Sequence, residues 1–392
     1  MNRTFYQRPP CWYSPQLSPL AIRLWRPLRR SYQRRNQRLA SVDVQGLEGV
    51  RKLIEAKAGV LITPNHSSHA DSVVLYAASD ELGIPFYVMA AWQVFHFGGL
   101  LKRVIMRHHG CFSVDREGTD LTALRQARSV LEEKPNPLVI FPEGEVYHTN
   151  ERVTPFRDGP SAIALMAARK ADRPIYCVPC AMRYHYVEDP TPELLELMDR
   201  LERAVYWRPK RDLPLPSRIY QLAEAMLALK EIEFCARTAS GPLPDRIRKL
   251  IECILEPIET RCETGGDGKT IPERVKAVRS CAIGKLEELP EDAADRQAWY
   301  DVLDDVFLVI QAYSYPDHYV GEAPTIERMA ETLDKFEEDL LGRETATVRG
   351  QRRVTVRFGE PIEVPKKKNG MSGEQLTNLL EQQVQSLLSD CD

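Results

Sequence analysis

Gly59-Val-Leu-Ile-Thr-Pro64 runs directly into Asn65-His-Ser-Ser-His-Ala-Asp71, an apolar, β-branched run ending in a short polar turn. A run of this kind reads as a buried strand, and the turn places an imidazole at its carboxyl end with a carboxylate five positions later at the start of a helix. Four further runs repeat the theme: Phe86-Tyr-Val-Met-Ala90, Gly110-Cys-Phe-Ser-Val114, Leu138-Val-Ile-Phe141 and Ile175-Tyr-Cys-Val-Pro179. Helical stretches such as Asp120 to Glu132 and Pro160 to Arg169 lie between them. Alternation of strand and helix predicts an α/β domain, its sheet mixed or largely parallel and flanked by helices. In open sheets of this class ligands collect beyond the carboxyl ends of the strands, so the residues just after each run are the candidate site.

With 392 residues, 43% hydrophobic and 28% charged, the chain has material for two or three domains and is neither disordered, collagenous nor a disulfide-stapled miniprotein. Its nine cysteines are scattered and odd in number, which fits a reducing compartment. The one CxxC, Cys177 to Cys180, sits inside a strand-like run and reads as structural thiols. The first residues carry Pro and Arg where the apolar core of a signal peptide would lie. The longest uncharged run, Ile84 to Leu101, contains Pro, Gln, His and two Gly and reads as a strand followed by a buried or membrane-facing helix, not a span.

Charge is unevenly distributed. Residues 1–43 hold nine arginines and, up to Val42, no acid, interleaved with Trp12, Leu20, Leu24, Trp25, Leu28 and Tyr32. Such an arm suits an anionic membrane surface; nucleic acid is the rival polyanion and a solvated arm the plain alternative. Residues 190–343 show little strand signal and are acidic, with 31 Asp and Glu against 21 Lys and Arg. Apolar residues recur there at threes and fours, predicting six helices from Leu194 to Leu341 in a bundle inserted into the α/β domain, which spans 44–189 and 344–392.

His66 oriented by Asp71 makes a candidate general base. A metal reading would use His66, His69 and Asp71, but their H-x-x-H-x-D spacing departs from the metallo-β-lactamase pattern, and no metal or resident cofactor is expected. No G-x-S-x-G elbow occurs, so the nucleophile would be the acceptor's own hydroxyl. Arg116, and the loop of Glu143 and Gly144, follow later strands as candidate anion grips.

Taken in order, N-H-S-S-H-A-D (65–71), G-C-F-S-V-D-R (110–116), F-P-E-G (141–144) and V-P-C (178–180) resemble the four motif blocks of the glycerolipid acyltransferase family, the lysophosphatidic acid acyltransferase-like group. Val354 to Ile362 is similar to the family's closing strand and turn. The resemblance implies that His66, oriented by Asp71, deprotonates a hydroxyl of a lysophospholipid or glycerol phosphate, lysophosphatidic acid foremost. That oxygen would attack the thioester of acyl-CoA or an acyl-carrier protein. It further implies that Arg116 meets the acceptor phosphate and that Glu143 and Gly144 shape its pocket, and it makes Arg157 a later basic position. With the scattered cysteines and the basic arm, the expected location is the cytoplasmic face of a membrane, and no nucleic acid partner is expected. One departure stands out: where many members continue F-P-E-G-T-R, this chain has Glu145-Val146. Transacylases of the tafazzin type also lack that arginine, which leaves open a phospholipid donor, or a silent lipid-binding scaffold.

Overall fold

The computed structural model describes residues 10–391 apart from 117, 119, 267, 316–323 and 367–369; Arg3 and Arg8 of the basic arm lie outside the described residues. The chain divides into two units, Pro10–Pro190 with Val348–Asp392, and Thr191–Thr347.

The first unit is α/β. Its elements in chain order are α1 (Pro19–Arg35), β1 (Leu39–Gln45), α2 (Leu47–Glu55), β2 (Gly59–Pro64), α3 (Asp71–Leu82), β3 (Tyr87–Ala91), α4 (Gly99–His108), β4 (Cys111–Val114), α5 (Leu121–Glu133), β5 (Leu138–Val139), α6 (Gly159–Lys170) and β6 (Ile175–Tyr186). After the second unit come β7 (Arg352–Phe358), β8 (Ile362–Glu363) and a closing helix at Gly373–Ser389. The sheet runs β1-β7-β6-β2-β5-β3-β4, with β8 also on β6. β6 pairs antiparallel with β7 and β8, and the remaining pairs are parallel.

β2 is buried along its whole length, as a central parallel strand must be when helices cover both faces. Side chains alternate across the pleat. Val60 and Ile62 join the core under α2 and α3, whereas Leu61 joins the core under α5, α6 and the closing helix. Gly59 admits no side chain, since a Cβ there would lie 2.3 Å from the Leu131 carbonyl oxygen. Cys177 and Cys180, three residues apart on β6, enter opposite cores, so they form neither a metal pair nor a redox pair. Burial pushes the Cys177 thiol up to about 12, which keeps it protonated and inert.

The arginine-rich segment is attached from α1 onward. Ile22 and Gln33 are buried, Gln33 donates to the Val73 carbonyl at 2.9 Å, and Arg26 and Arg29 both reach Asp80, at 2.8 and 2.9 Å. The opposite side of α1 leaves Leu20, Leu24 and Leu28 exposed at a four-residue spacing, one stripe of the helix surface. In the uncharged run 84–101, Trp92 and Phe95 are buried in a 3₁₀ turn, and on α4 Leu100, Leu101 and Val104 face solvent.

The second unit consists of α7 (Thr191–Tyr206), α8 (Leu215–Cys235), α9 (Leu243–Cys262), α10 (Ile271–Glu288), α11 (Arg296–Tyr313) and α12 (Ile326–Leu341). These six helices, ending at Leu341, match in number the six that periodicity predicts. Prolines 216, 244 and 272 sit in the first turns of α8, α9 and α10, where a missing N–H costs nothing. α8 to α11 share a core built on Leu255, Val275, Leu303 and Val306. Three buried arginines tie consecutive helices. Arg218 of α8 grips Glu202 of α7, Arg246 of α9 grips Glu231 of α8, and Arg274 of α10 grips Glu259 of α9. The Arg246 fork meets both Glu231 oxygens at 2.9 and 2.8 Å, and this pairing holds the Glu231 carboxyl below its ordinary range.

Arg246→Met therefore strands a buried carboxylate and should cost about 3–5 kcal/mol, read as faster amide exchange across α8 and α9. The exposed Lys230–Glu233 pair supplies the contrast, and Lys230→Met should cost under about 1 kcal/mol by the same measurement.

Candidate active site

The site begins where β2 stops. Pro64 cannot donate to the ladder, and the next residue continues the pairing with its side chain. The Asn65 amide donates to the Met182 carbonyl at 3.0 Å and accepts the Met182 N–H at 2.7 Å. Asn150 does the same for Tyr184, at 2.7 Å in each direction. Two asparagines thus satisfy the edge of β6 beyond the end of β2 and free the backbone of 65–71 to turn.

In that turn His66 stacks on Phe141 with ring centroids 4.1 Å apart, and its Nδ1 lies 2.9 Å from Asp71 Oδ2. Asp71 opens α3 and has no exposed surface. Its Oδ2 also accepts the Ser68 N–H at 2.9 Å, and its Oδ1 accepts the Tyr184 hydroxyl at 2.6 Å. Three donors and the helix N-terminus meet a charge that burial would otherwise disfavour. Burial, then the neighbouring Asp71 charge, pushes the Tyr184 hydroxyl well above its ordinary range, so it remains a donor. With Nδ1–H directed at Asp71, the imidazole offers Nε2 as its basic atom. Nε2 has no hydrogen-bond partner among the described residues, and 19% of the His66 side chain is exposed. His69 points elsewhere, meeting His148 edge-on with centroids 5.5 Å apart.

A loop after β5 fixes the backbone of His66. Glu143 is buried, and its two oxygens accept the N–H groups of His66 at 2.6 Å and of Thr154 at 3.0 Å. Through these two bonds Glu143 ties the His66 turn to the Thr154 segment. Burial raises its carboxyl to about 7, partly offset by those two N–H donors. Tyr147 N–H reaches the His66 carbonyl at 3.4 Å, so the loop is tied to the His66 backbone at two points.

Gly144 has φ of +82°, and a Cβ there would stand 2.6 Å from Arg157 Nε. Left-handed backbone and close approach both demand glycine. Arg157 is anchored by its own N–H to the Pro142 carbonyl at 2.9 Å. Arg116, after β4, donates to the Gly144 carbonyl, and its Nη1 lies 2.8 Å from Glu145 Oε1. Burial raises the Glu145 carboxyl, but the Arg116 pair and the Arg157 charge outweigh it, leaving Glu145 below its ordinary range. The structure therefore joins His66 to Asp71 and Glu143, and Arg116 to Gly144 and Glu145, with Arg157 against Gly144.

Sequence reading missed Tyr184, Asn65, Asn150 and the Arg116–Glu145 pair. Met182 and Tyr184 alternate on the β6 face that packs with α3, a periodicity signal available only once the strand is known to continue past Cys180.

Residues 41–183 match the family model described as Acyltransferase, and no curated protein matches the chain. Among the described residues, no helix is long and apolar enough to cross a membrane.

The Glu143 carboxyl yields a signed pH effect. A folded value near 7 above an ordinary 4.5 means that its contribution to stability is full below about pH 4.5 and is lost as pH rises through about 7. Glu143→Gln removes that titration, so the melting temperature of the variant minus that of the native protein should rise between about pH 4.5 and 7.5. A constant gap across thermal scans would contradict the assignment.

Proposed function

We propose, from an acyltransferase domain of the glycerolipid acyltransferase family over residues 41–183, that this protein transfers a fatty acyl group to a hydroxyl of a lysophospholipid or glycerol phosphate. The observation that carries the chemistry is the His66 Nδ1 to Asp71 Oδ2 contact at 2.9 Å, on a carboxylate with no exposure. An imidazole so held keeps one tautomer, and its free Nε2 takes the acceptor's hydroxyl proton as the oxygen attacks the thioester carbon of acyl-CoA or an acyl-carrier protein. The tetrahedral oxyanion collapses, the thiolate leaves, and the proton on Nε2 passes to it. Asp71 accepts from Nδ1–H and stabilises the imidazolium that forms in between. A phospholipid donor is the alternative, favoured by Val146 standing where many members have arginine.

The same reading makes the protein peripheral on the cytoplasmic face of a membrane. What supports it is α1, whose exposed Leu20, Leu24 and Leu28 lie beside the exposed Arg23, Arg30, Arg34 and Arg35. Leucines enter the interface while guanidinium groups meet anionic head groups.

Radiolabelled acyl-CoA presented with a panel of lysolipids on liposomes tests the first reading. Native protein should transfer, and His66→Ala should fall by about 10²-fold or more; an undiminished variant would remove His66 as the base. Flotation with phosphatidylglycerol vesicles tests the second. Leu24→Ser with Leu28→Ser should weaken binding at least about tenfold, and an unchanged bound fraction would contradict attachment through α1.

A further inference from the structure

The stretch from Glu143 to Tyr147 is fastened to the backbone of His66 at both ends, through Glu143 Oε1 at 2.6 Å and the Tyr147 N–H at 3.4 Å. Glu145 stands midway along the chain between these anchors. Its carboxylate is neither loose nor on an open surface. Oε1 lies 2.8 Å from Arg116 Nη1, with 14% of the Arg116 side chain and 15% of the Glu145 side chain exposed. The same guanidinium donates to the Gly144 carbonyl, and Arg157 closes on that glycine from another side. Both arginines therefore face an anion that the chain itself provides.

We infer that Glu145 determines acceptor specificity. By occupying Arg116 beside Arg157, it directs the site toward lysophospholipids with a singly charged phosphodiester head group and against phosphomonoester dianions. This rests on the acyl-transfer reading above and narrows its acceptor class.

The physical argument is one of competition for a guanidinium. A phosphomonoester carries about −1.5 to −2 charges near neutrality, and its strongest partner is an arginine fork. To gain Arg116 it must displace Glu145, leaving a mostly buried carboxylate unpaired, or else sit against that carboxylate at close range. Either course penalises the dianion more than the monoanion, and discrimination by a built-in like charge is an established route to specificity. A phosphodiester, with one charge and often a neutral or cationic substituent, needs no displacement. The Glu145 carboxyl titrates below its ordinary range, so the opposing charge is present throughout the neutral region.

The test uses the full chain, acyl-CoA, and two acceptors with the same acyl chain, lysophosphatidic acid and lysophosphatidylglycerol. Native protein should show the higher kcat/KM with the phosphodiester. That preference should narrow as pH falls from about 7.5 to 5.5, as the second phosphate ionisation near 6 is reversed. Glu145→Gln should raise kcat/KM for lysophosphatidic acid relative to lysophosphatidylglycerol about tenfold or more, mainly through KM. Glu145→Asp, which retains the charge, should retain the native preference. A native preference for lysophosphatidic acid overturns the inference, as does a Glu145→Gln variant that loses both activities in proportion. Absence of transfer to either acceptor, by native protein and variants alike, overturns the acyl-transfer reading and this inference with it.

Discussion

A carboxylate with no access to water is tolerable only when its charge is met in full, and in this protein that demand falls on Asp71. Three donors converge on it, from the His66 ring, the Ser68 backbone and the Tyr184 hydroxyl. Each comes from a different structural source: the turn after β2, the approach to α3, and the far half of β6. The parallel register of β2 with β6 brings Pro64 opposite Cys180, which sets β6 residues 182 and 184 beyond the strand's end. The His66 ring is therefore oriented by the sheet itself, with the turn as its remaining freedom. Asn65 removes that freedom by hydrogen bonding to Met182.

Much of this was legible in the sequence, for identifiable reasons. β2 and the turn at 65–71 are local: an apolar run, a proline and a carboxylate at a helix start need no distant partner to be read. The helices of the second unit were equally local, because their stripes repeat every turn and prolines mark their starts. What was not legible depended on pairing across long stretches of chain. β1 lies in what reads as an arginine arm and becomes a strand by pairing with β7, more than three hundred residues later. The second half of β6 exists because β7 covers it, and Tyr184 lies in that half. Its role was invisible for the same reason.

The loop after β5 shows the difference between naming a residue and assigning its work. Glu143 and Gly144 stood out by motif, yet Glu143 spends both oxygens on backbone N–H groups, and Gly144 is required by its backbone angle and by Arg157. Glu145 departs from the motif that the sequence resembles and could have passed for a loss of function. In the structure it is the partner of Arg116, so the chain carries a charge of its own into the candidate site.

The central claim is that Asp71 holds the His66 ring in the tautomer that leaves Nε2 basic. Nitrogen-15 NMR of the native protein with labelled histidine, recorded with His66 neutral and assigned against His66→Ala, tests it most directly. The account predicts a proton on Nδ1, hydrogen bonded to the carboxylate, and an unprotonated Nε2. A ring carrying its proton on Nε2, or a spectrum unchanged in Asp71→Asn, would contradict it.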